Sequence, residues 1–317
     1  MRKLISSVFL CLLSSTCHSA GVRLFDIPAA PNGPALQAAV WTPCADVPEQ
    51  FEVGTTLVRG TRDCSVTGEN LPLVVMSHGH GGSRLGHHDL AEKLADAGFV
   101  VAAINHPGDT SSDMSRASEP SEFVERPIDI QRLIDYMLDS SPEASKINAR
   151  NIGFFGFSRG GFTGLVLAGG VPDFQHADIP CPDELPICKT IREGKLPPQH
   201  WTRDPRIRVF VLADPLDAFP TPATVQNISA PIQLWASEYG GDGVLPETTP
   251  ALSKLLPTKP EYHLVAGAAH FAFLSPCTPK QAASVPRVCV DDGGFDRVAF
   301  HARFNEAVLR FFQTRLR

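Results

Sequence analysis

Gly156-Phe157-Ser158-Arg159-Gly160 is a G-x-S-x-G pentapeptide, set between the apolar run Ile152-Gly-Phe-Phe155 and a glycine-led helical pattern. This context suits a nucleophile on a sharp strand-to-helix turn, where flanking glycines avoid Cβ clashes and the hydroxyl stands above a sheet. A hydroxyl is a weak nucleophile until a base takes its proton, so Ser158 predicts a histidine later in the chain. His270 fits, because it follows the run Tyr262 to Val265 through a turn of small residues. His263, inside that run, and His301, on the terminal helical pattern, read as surface side chains. An imidazole in this role needs a carboxylate to orient it and steady its charged form. Asp242, in Gly240-Gly-Asp-Gly243 after the run Ile232 to Trp235, is the first choice. Asp214, after Ile207 to Leu212, is the second and Glu238 the third. Glycines leave the Asp242 backbone free to turn sharply, whereas Pro215 restricts Asp214 to extended conformations.

Acyl transfer through a tetrahedral intermediate also needs backbone donors for the oxyanion. The apolar run ending at Met76 leads into Ser77-His-Gly-His-Gly-Gly82, similar to the H-G-G-G turn that supplies one donor. The expected donors are the N–H groups of His80 and of Arg159, the residue after the nucleophile. A competing reading makes His78, His80, His87 and His88 a metal cluster, since His-x-His spacing occurs in zinc sites. The glycine-rich turn after a buried strand accounts better for the segment, and the expectation is chemistry without metal or organic cofactor.

The elements that must hold these residues follow from periodicity. Pro72 to Ser77, Phe99 to Ile104, Asn151 to Phe157, Ile207 to Leu212, Pro231 to Trp235 and Tyr262 to Val265 are short apolar runs. Such runs suit buried parallel strands. Two more strands are expected at Val22 to Ile27 and Leu36 to Trp41, and residues 43–71 read as irregular. Helical spacing occupies His87 to Ala97, a segment opened by Pro127, Phe162 to Ala168 and Glu247 to Leu256. A terminal stripe runs through Phe300, Phe304, Val308 and Phe311. Alternation of strand and helix predicts an α/β domain with a mostly parallel central sheet covered by helices on both faces. Residues 171–204, with six prolines, break the rhythm after the nucleophile helix and read as an insertion, a possible lid.

The chain has 317 residues, 43% of them hydrophobic, and a net charge of −6. Acidity without basic runs argues against nucleic acid as a partner. Arg2-Lys3, the apolar Leu4 to Leu13 and the exit His18-Ser19-Ala20 read as a signal peptide, residues 1–20. That leaves one domain over residues 21–317, with no integral membrane segment and an expected periplasmic or secreted location. Six cysteines then remain, an even number that points to disulfides in an exported chain. Nearest-neighbour pairing, 44–64, 181–188 and 277–289, is the simplest arrangement.

The segments Ser77-His-Gly-His-Gly-Gly, Gly-Phe-Ser-Arg-Gly-Gly, Asp242-Gly-Val-Leu-Pro and Gly-Ala-Ala-His270-Phe together resemble the α/β-hydrolase superfamily. Within it they are similar to secreted dienelactone-hydrolase-like esterases and to platelet-activating-factor acetylhydrolases. The resemblance implies an α/β-hydrolase fold and a serine esterase acting on a small-molecule or lipid-like ester. Dienelactone hydrolases use a cysteine where this chain has Ser158. The acetylhydrolase pattern places the acid after the strand equivalent to Ile207 to Leu212, which favours Asp214. Phospholipid or lipid-ester hydrolysis, and a non-catalytic binding protein on the same fold, are the alternative expectations.

Overall fold

The computed structural model describes residues 19–180, 186–196 and 200–316. The strands are β1 (Ser19–Ile27), β2 (Leu36–Cys44), β3 (Glu49–Val53), β4 (Thr56–Arg62), β5 (Leu71–Ser77), β6 (Val100–Ile104), β7 (Ile147–Phe157), β8 (Ile207–Ala213), β9 (Ile232–Ser237) and β10 (Glu261–Val265). The helices are α1 (His88–Asp96), α2 (Ser121–Asp139), α3 (Arg159–Ala168), α4 (Pro186–Arg192), α5 (Pro222–Val225), α6 (Thr248–Leu255), α7 (Pro279–Ser284), α8 (Pro286–Cys289) and α9 (Arg297–Leu316).

All ten strands form one sheet in the order β10-β9-β8-β7-β5-β6-β2-β1-β4-β3. From β6 to β10 every pairing is parallel, while β2 joins antiparallel to both β6 and β1. The inner parallel strands are buried on both faces, as their unbroken apolar runs require, while β10 at the sheet edge is partly exposed. On one face Phe154, Ile130, Leu133 and Phe162 pack the sheet against α2 and α3. On the other, Phe155, Leu90, Leu94, Phe304 and Phe312 pack it against α1 and α9. The α9 stripe is buried at Phe300, Phe304, Val308 and Phe311, each side chain worth about 1.5–3 kcal/mol of burial.

Two local expectations are corrected. Residues 43–71 are not irregular throughout: β3 and β4 form a hairpin whose turn begins at Gly54, with φ +62°. One face of the hairpin packs on the core through Phe51, Val53 and Val58, but the strands are short and mostly polar, so few apolar positions mark the period in the sequence. Helix α2 begins at Ser121, so Pro127 lies inside it rather than opening it. Tertiary contacts sustain the extra turn, with Phe123 packed edge-on to Phe162 at 5.2 Å and Arg126 buried below. Cys44–Cys64 and Cys277–Cys289 are disulfides. Cys188 is also disulfide-bonded, whereas Cys181 of the expected third pair lies outside the described residues. So do residues 1–18 of the expected signal peptide. Ser19 and Ala20 already belong to β1, paired with Cys44 and Pro43, so a cut after Ala20 falls two residues inside the strand. Among the described residues no helix is long and apolar enough to cross a membrane.

Candidate active site

The parallel register aligns the C-terminal ends of five strands, β5, β7, β8, β9 and β10. Ser77 is opposite Gly156, Phe157 opposite Ala213, Ala213 opposite Trp235, and Ser237 opposite Val265. The loops leaving these ends therefore rise side by side at one edge, the usual place for a site in such sheets. Ser158 follows Phe157 with φ +56° and ψ −119°, a strained conformation for a residue with a Cβ. Glycines permit it. A Cβ at Gly160 would lie 2.0 Å from the Ser77 carbonyl oxygen, and one at Gly156 would lie 2.3 Å from that of Gly160. The elbow is tied to the next loop by Ser158 N–H donating to Ala213 O and Leu216 N–H donating to Ser158 O, each at 3.0 Å.

Asp214 occupies that next loop. His270 Nδ1 donates to Asp214 Oδ2 at 2.7 Å, and both side chains are buried. The same carboxylate accepts the Ser237 N–H at 2.9 Å and the Ser237 hydroxyl at 2.6 Å. His270 stacks on Phe157 at 4.6 Å between ring centres. Its Nε2 is buried without a hydrogen-bond partner among the described residues. One ring nitrogen is thus fixed and the other is free, beside the Ser158 elbow.

This corrects the order of the acid candidates. Asp242 does not reach His270; it is exposed and pairs with Arg287 at 2.8 Å. Its glycine loop does reach the histidine, but through the backbone: His270 N–H donates to Gly240 O at 2.8 Å. Asp214 is not held extended by Pro215. It takes φ +44°, a left-handed conformation that Asp tolerates better than most residues. Glu238 Oε2 accepts the Gly267 N–H instead. His301 is not a surface side chain: it is buried, with Nδ1 on Asp89 at 2.6 Å and Nε2 on Ala272 O at 2.9 Å. It thereby braces the turn that carries His270. His263 is half-exposed and stacks on Trp235 at 4.0 Å.

The glycine turn after β5 passes against the elbow, since a Cβ at Gly79 would lie 3.1 Å from Ser158 Cβ. The Arg159 N–H opens α3 and has no intrahelical acceptor. The four histidines of the competing metal reading go separate ways. His78 Nδ1 donates to Gly79 O at 2.7 Å, and His80 bonds Asp109. His87 sits between Phe155 and Phe157, and His88 bonds Glu92. Burial drives His78 and His87 down to about 3, so both are neutral near pH 7; the Arg126 charge adds to the effect at His78. Beside Ser158 opens a pocket of about 330 Å³ with apolar walls from Phe123, Phe174, Ile179, Ile187, Ile191 and Leu216. Most of these wall residues come from the insertion at 171–204.

A structure from Streptomyces cinnamoneus described as a ferulic acid esterase superposes with a TM-score of 0.64 at 18% identity. The superposition covers 96% of this chain and 91% of that one. The fold is that of the α/β-hydrolases. A candidate dipeptidyl aminopeptidase IV from Bacteroides ovatus also superposes, with a TM-score of 0.55 at 13% identity. Here 96% of this chain aligns with 37% of the longer one. In sequence, residues 55–152 match the family of platelet-activating factor acetylhydrolase, isoform II. That span holds the glycine turn and α2 but stops before Ser158. No curated protein matches the chain in sequence.

Proposed function

We propose that the protein is a serine hydrolase that cleaves carboxylic esters through an acyl-enzyme. Ser158 Oγ attacks the ester carbonyl while His270 Nε2 takes its proton. Asp214 holds the ring with its proton on Nδ1 and steadies the imidazolium that forms. The His80 and Arg159 N–H groups receive the oxyanion. His270 then returns the proton to the departing alcohol, and water activated by the same nitrogen releases the acid. The observation that carries this reading is the His270 ring, pinned on one side by Asp214 and unpartnered on the other. Residues 55–152 support an acetylhydrolase-type esterase in particular.

The apolar pocket favours esters with one uncharged group of moderate size, a short to medium acyl chain or an aromatic acid. Phospholipid and other lipid esters remain the second reading, because the same walls accept a lipid-like acyl group. The insertion is then a roof that sets ester size. Export into an oxidising compartment agrees with the two disulfides described above.

The test is turnover of p-nitrophenyl esters of graded acyl length, with mass spectrometry after a fluorophosphonate. Turnover, and a single adduct on Ser158 that stops it, are expected. No turnover of any ester by the folded protein would favour the binding-protein alternative. An adduct elsewhere, with activity kept, would overturn the assignment of Ser158.

A further inference from the structure

The glycine turn 79–82 is an improbable place for a rigid donor. Three of its four residues are glycine, Gly81 sits at φ +58°, and such a segment has few side chains to pack and much freedom to lose. What holds it comes from the loop after β6. Asp109 lies there, fully buried, and each of its oxygens serves a different chain segment. Oδ1 accepts from His80 Nδ1 at 2.8 Å and from the Gly81 N–H at 2.9 Å. Oδ2 accepts from the Arg159 guanidinium and from that of Arg126, each at 2.8 Å. Arg126 in turn donates to His78 O, so the peptide before Gly79 is held as well. The Asp109 loop is itself anchored, because the Ser111 N–H donates to Gly82 O at 3.0 Å and Arg116 N–H to Gly108 O at 2.9 Å.

We propose that Asp109 is a positioning residue for the oxyanion site: one buried carboxylate clamps both segments to which the serine-esterase reading assigns the oxyanion donors, the glycine turn and the start of α3. The inference rests on the serine-esterase reading above. Two guanidiniums share this one carboxylate, so α2 and α3 are both tied to the loop that holds the glycine turn. Burial would push the Asp109 carboxyl up. The His80 hydrogen bond, the Arg126 and Arg159 charges and the Gly81 amide outweigh it and hold the group ionised below the usual carboxylate range.

Asp109→Asn keeps the shape but loses the charge and part of the acceptor capacity. A displacement of the donors costs catalysis more than ground-state binding, so kcat should fall about 10–100-fold with KM within about threefold. Affinity for an alkylboronic acid, which forms a tetrahedral anion on the serine oxygen, should fall by the same factor. His80→Ala leaves its own N–H in place yet breaks one strut of the clamp, and should cost kcat about tenfold. Combined with Asp109→Asn it should add almost nothing, because both act through one contact. A folded Asp109→Asn enzyme with kcat within about threefold of wild type overturns the inference, as do an unchanged boronate affinity or fully multiplicative losses. Should Asp109→Asn fail to fold, His80→Ala and Arg159→Met decide, the latter sparing its own amide. Near-normal kcat in both overturns the clamp. Failure of the underlying reading shows separately, as activity retained in Ser158→Ala.

Discussion

Two of the Asp–His pairs among the described residues differ in what the far ring nitrogen meets. In the first, Asp214 fixes His270 Nδ1 and leaves Nε2 unpartnered beside the elbow and its pocket. In the second, His106 Nδ1 donates to Asp129 at 3.0 Å while Nε2 accepts the Ser77 hydroxyl at 2.9 Å. Ser77, His106 and Asp129 are all buried inside the fold. By connectivity the second set is the more complete. Its hydroxyl, however, sits in an ordinary strand end, already bonded, with Arg126 over it and closed off from solvent. Catalytic power requires an unsatisfied base and a place for substrate; the same three residue types, fully satisfied, make a structural strut.

The largest effect that could break this comparison comes from the two serines. Ser158→Ala should lower kcat by about 10⁴-fold or more with the fold intact, since only an elbow hydroxyl is lost. Ser77→Ala should keep kcat within about tenfold while lowering stability by about 1–3 kcal/mol, because a buried Nε2 loses its partner. Steady-state kinetics and thermal melts on both variants check this. If Ser77→Ala is the inactive one, the roles are reversed.

The acids sharpen the same point. Asp214→Asn should lower kcat by about 10⁴-fold by releasing the ring from its working tautomer, on the precedent of serine proteases. Asp242→Asn should change kcat less than about threefold, since it loses only an exposed pair with Arg287. Ser158, His270 and the alternating sheet were legible because each rests on a local rule: glycines about a nucleophile, an apolar run, a turn. Which acid meets His270 was not, because it depends on strand order. β8 lies directly beside β7, between the nucleophile and β9, and linear sequence does not display that adjacency. The glycines around Asp242 were a true signal of a sharp turn at His270, but the turn supplies a carbonyl. Asp109 and Ser237 escaped notice for a related reason. The partners of Asp109 lie 17 to 50 residues away in sequence and Asp214 lies 23 from Ser237, and nothing adjacent marks them except a glycine before Asp109.

The first pair stands against an elbow whose serine lines a cavity, and that feature can be tested by filling the cavity. With an apolar wall, kcat/KM should rise about fourfold for each added methylene, at ~0.8 kcal/mol per buried CH₂, until the pocket is full. Ile191→Trp should end that rise at a shorter acyl chain while leaving acetyl ester turnover within about threefold. A graded series of p-nitrophenyl esters reads it directly. An unchanged profile in the variant would remove the insertion from the acyl site.

The smallest effect separates the two aspartates by pH rather than by rate. Burial pushes Asp129 up to about 7 against the Arg132 and Arg126 charges, with Glu122 and Glu125 adding to the rise. Glu122 is also pushed up to about 7 by burial, opposed by Arg126 and Arg116. His106, which faces Asp129, is driven well below its ordinary value by burial and by Arg126, so it carries no compensating charge. Carboxyls in an unfolded chain titrate near 4, so the folded protein binds these two protons more tightly than the unfolded one does. Their contribution is therefore fully present below about pH 4, falls as pH rises through about 7, and is flat beyond. Asp109 and Asp89, held low by their partners, act oppositely and lose their contribution as the pH falls below about 4. Asp129→Asn removes one of the groups that penalise neutral pH and leaves an acceptor for His106. Between pH 5 and pH 8 the melting temperature of the variant should accordingly rise relative to wild type by a few degrees. The same Asp-to-Asn change that nearly abolishes turnover at position 214 should leave ester hydrolysis within about threefold at position 129. A melting difference that stays constant from pH 5 to pH 8 would mean that Asp129 enters the fold already ionised, and the sealed pair would then hold a buried negative charge rather than being a neutral strut.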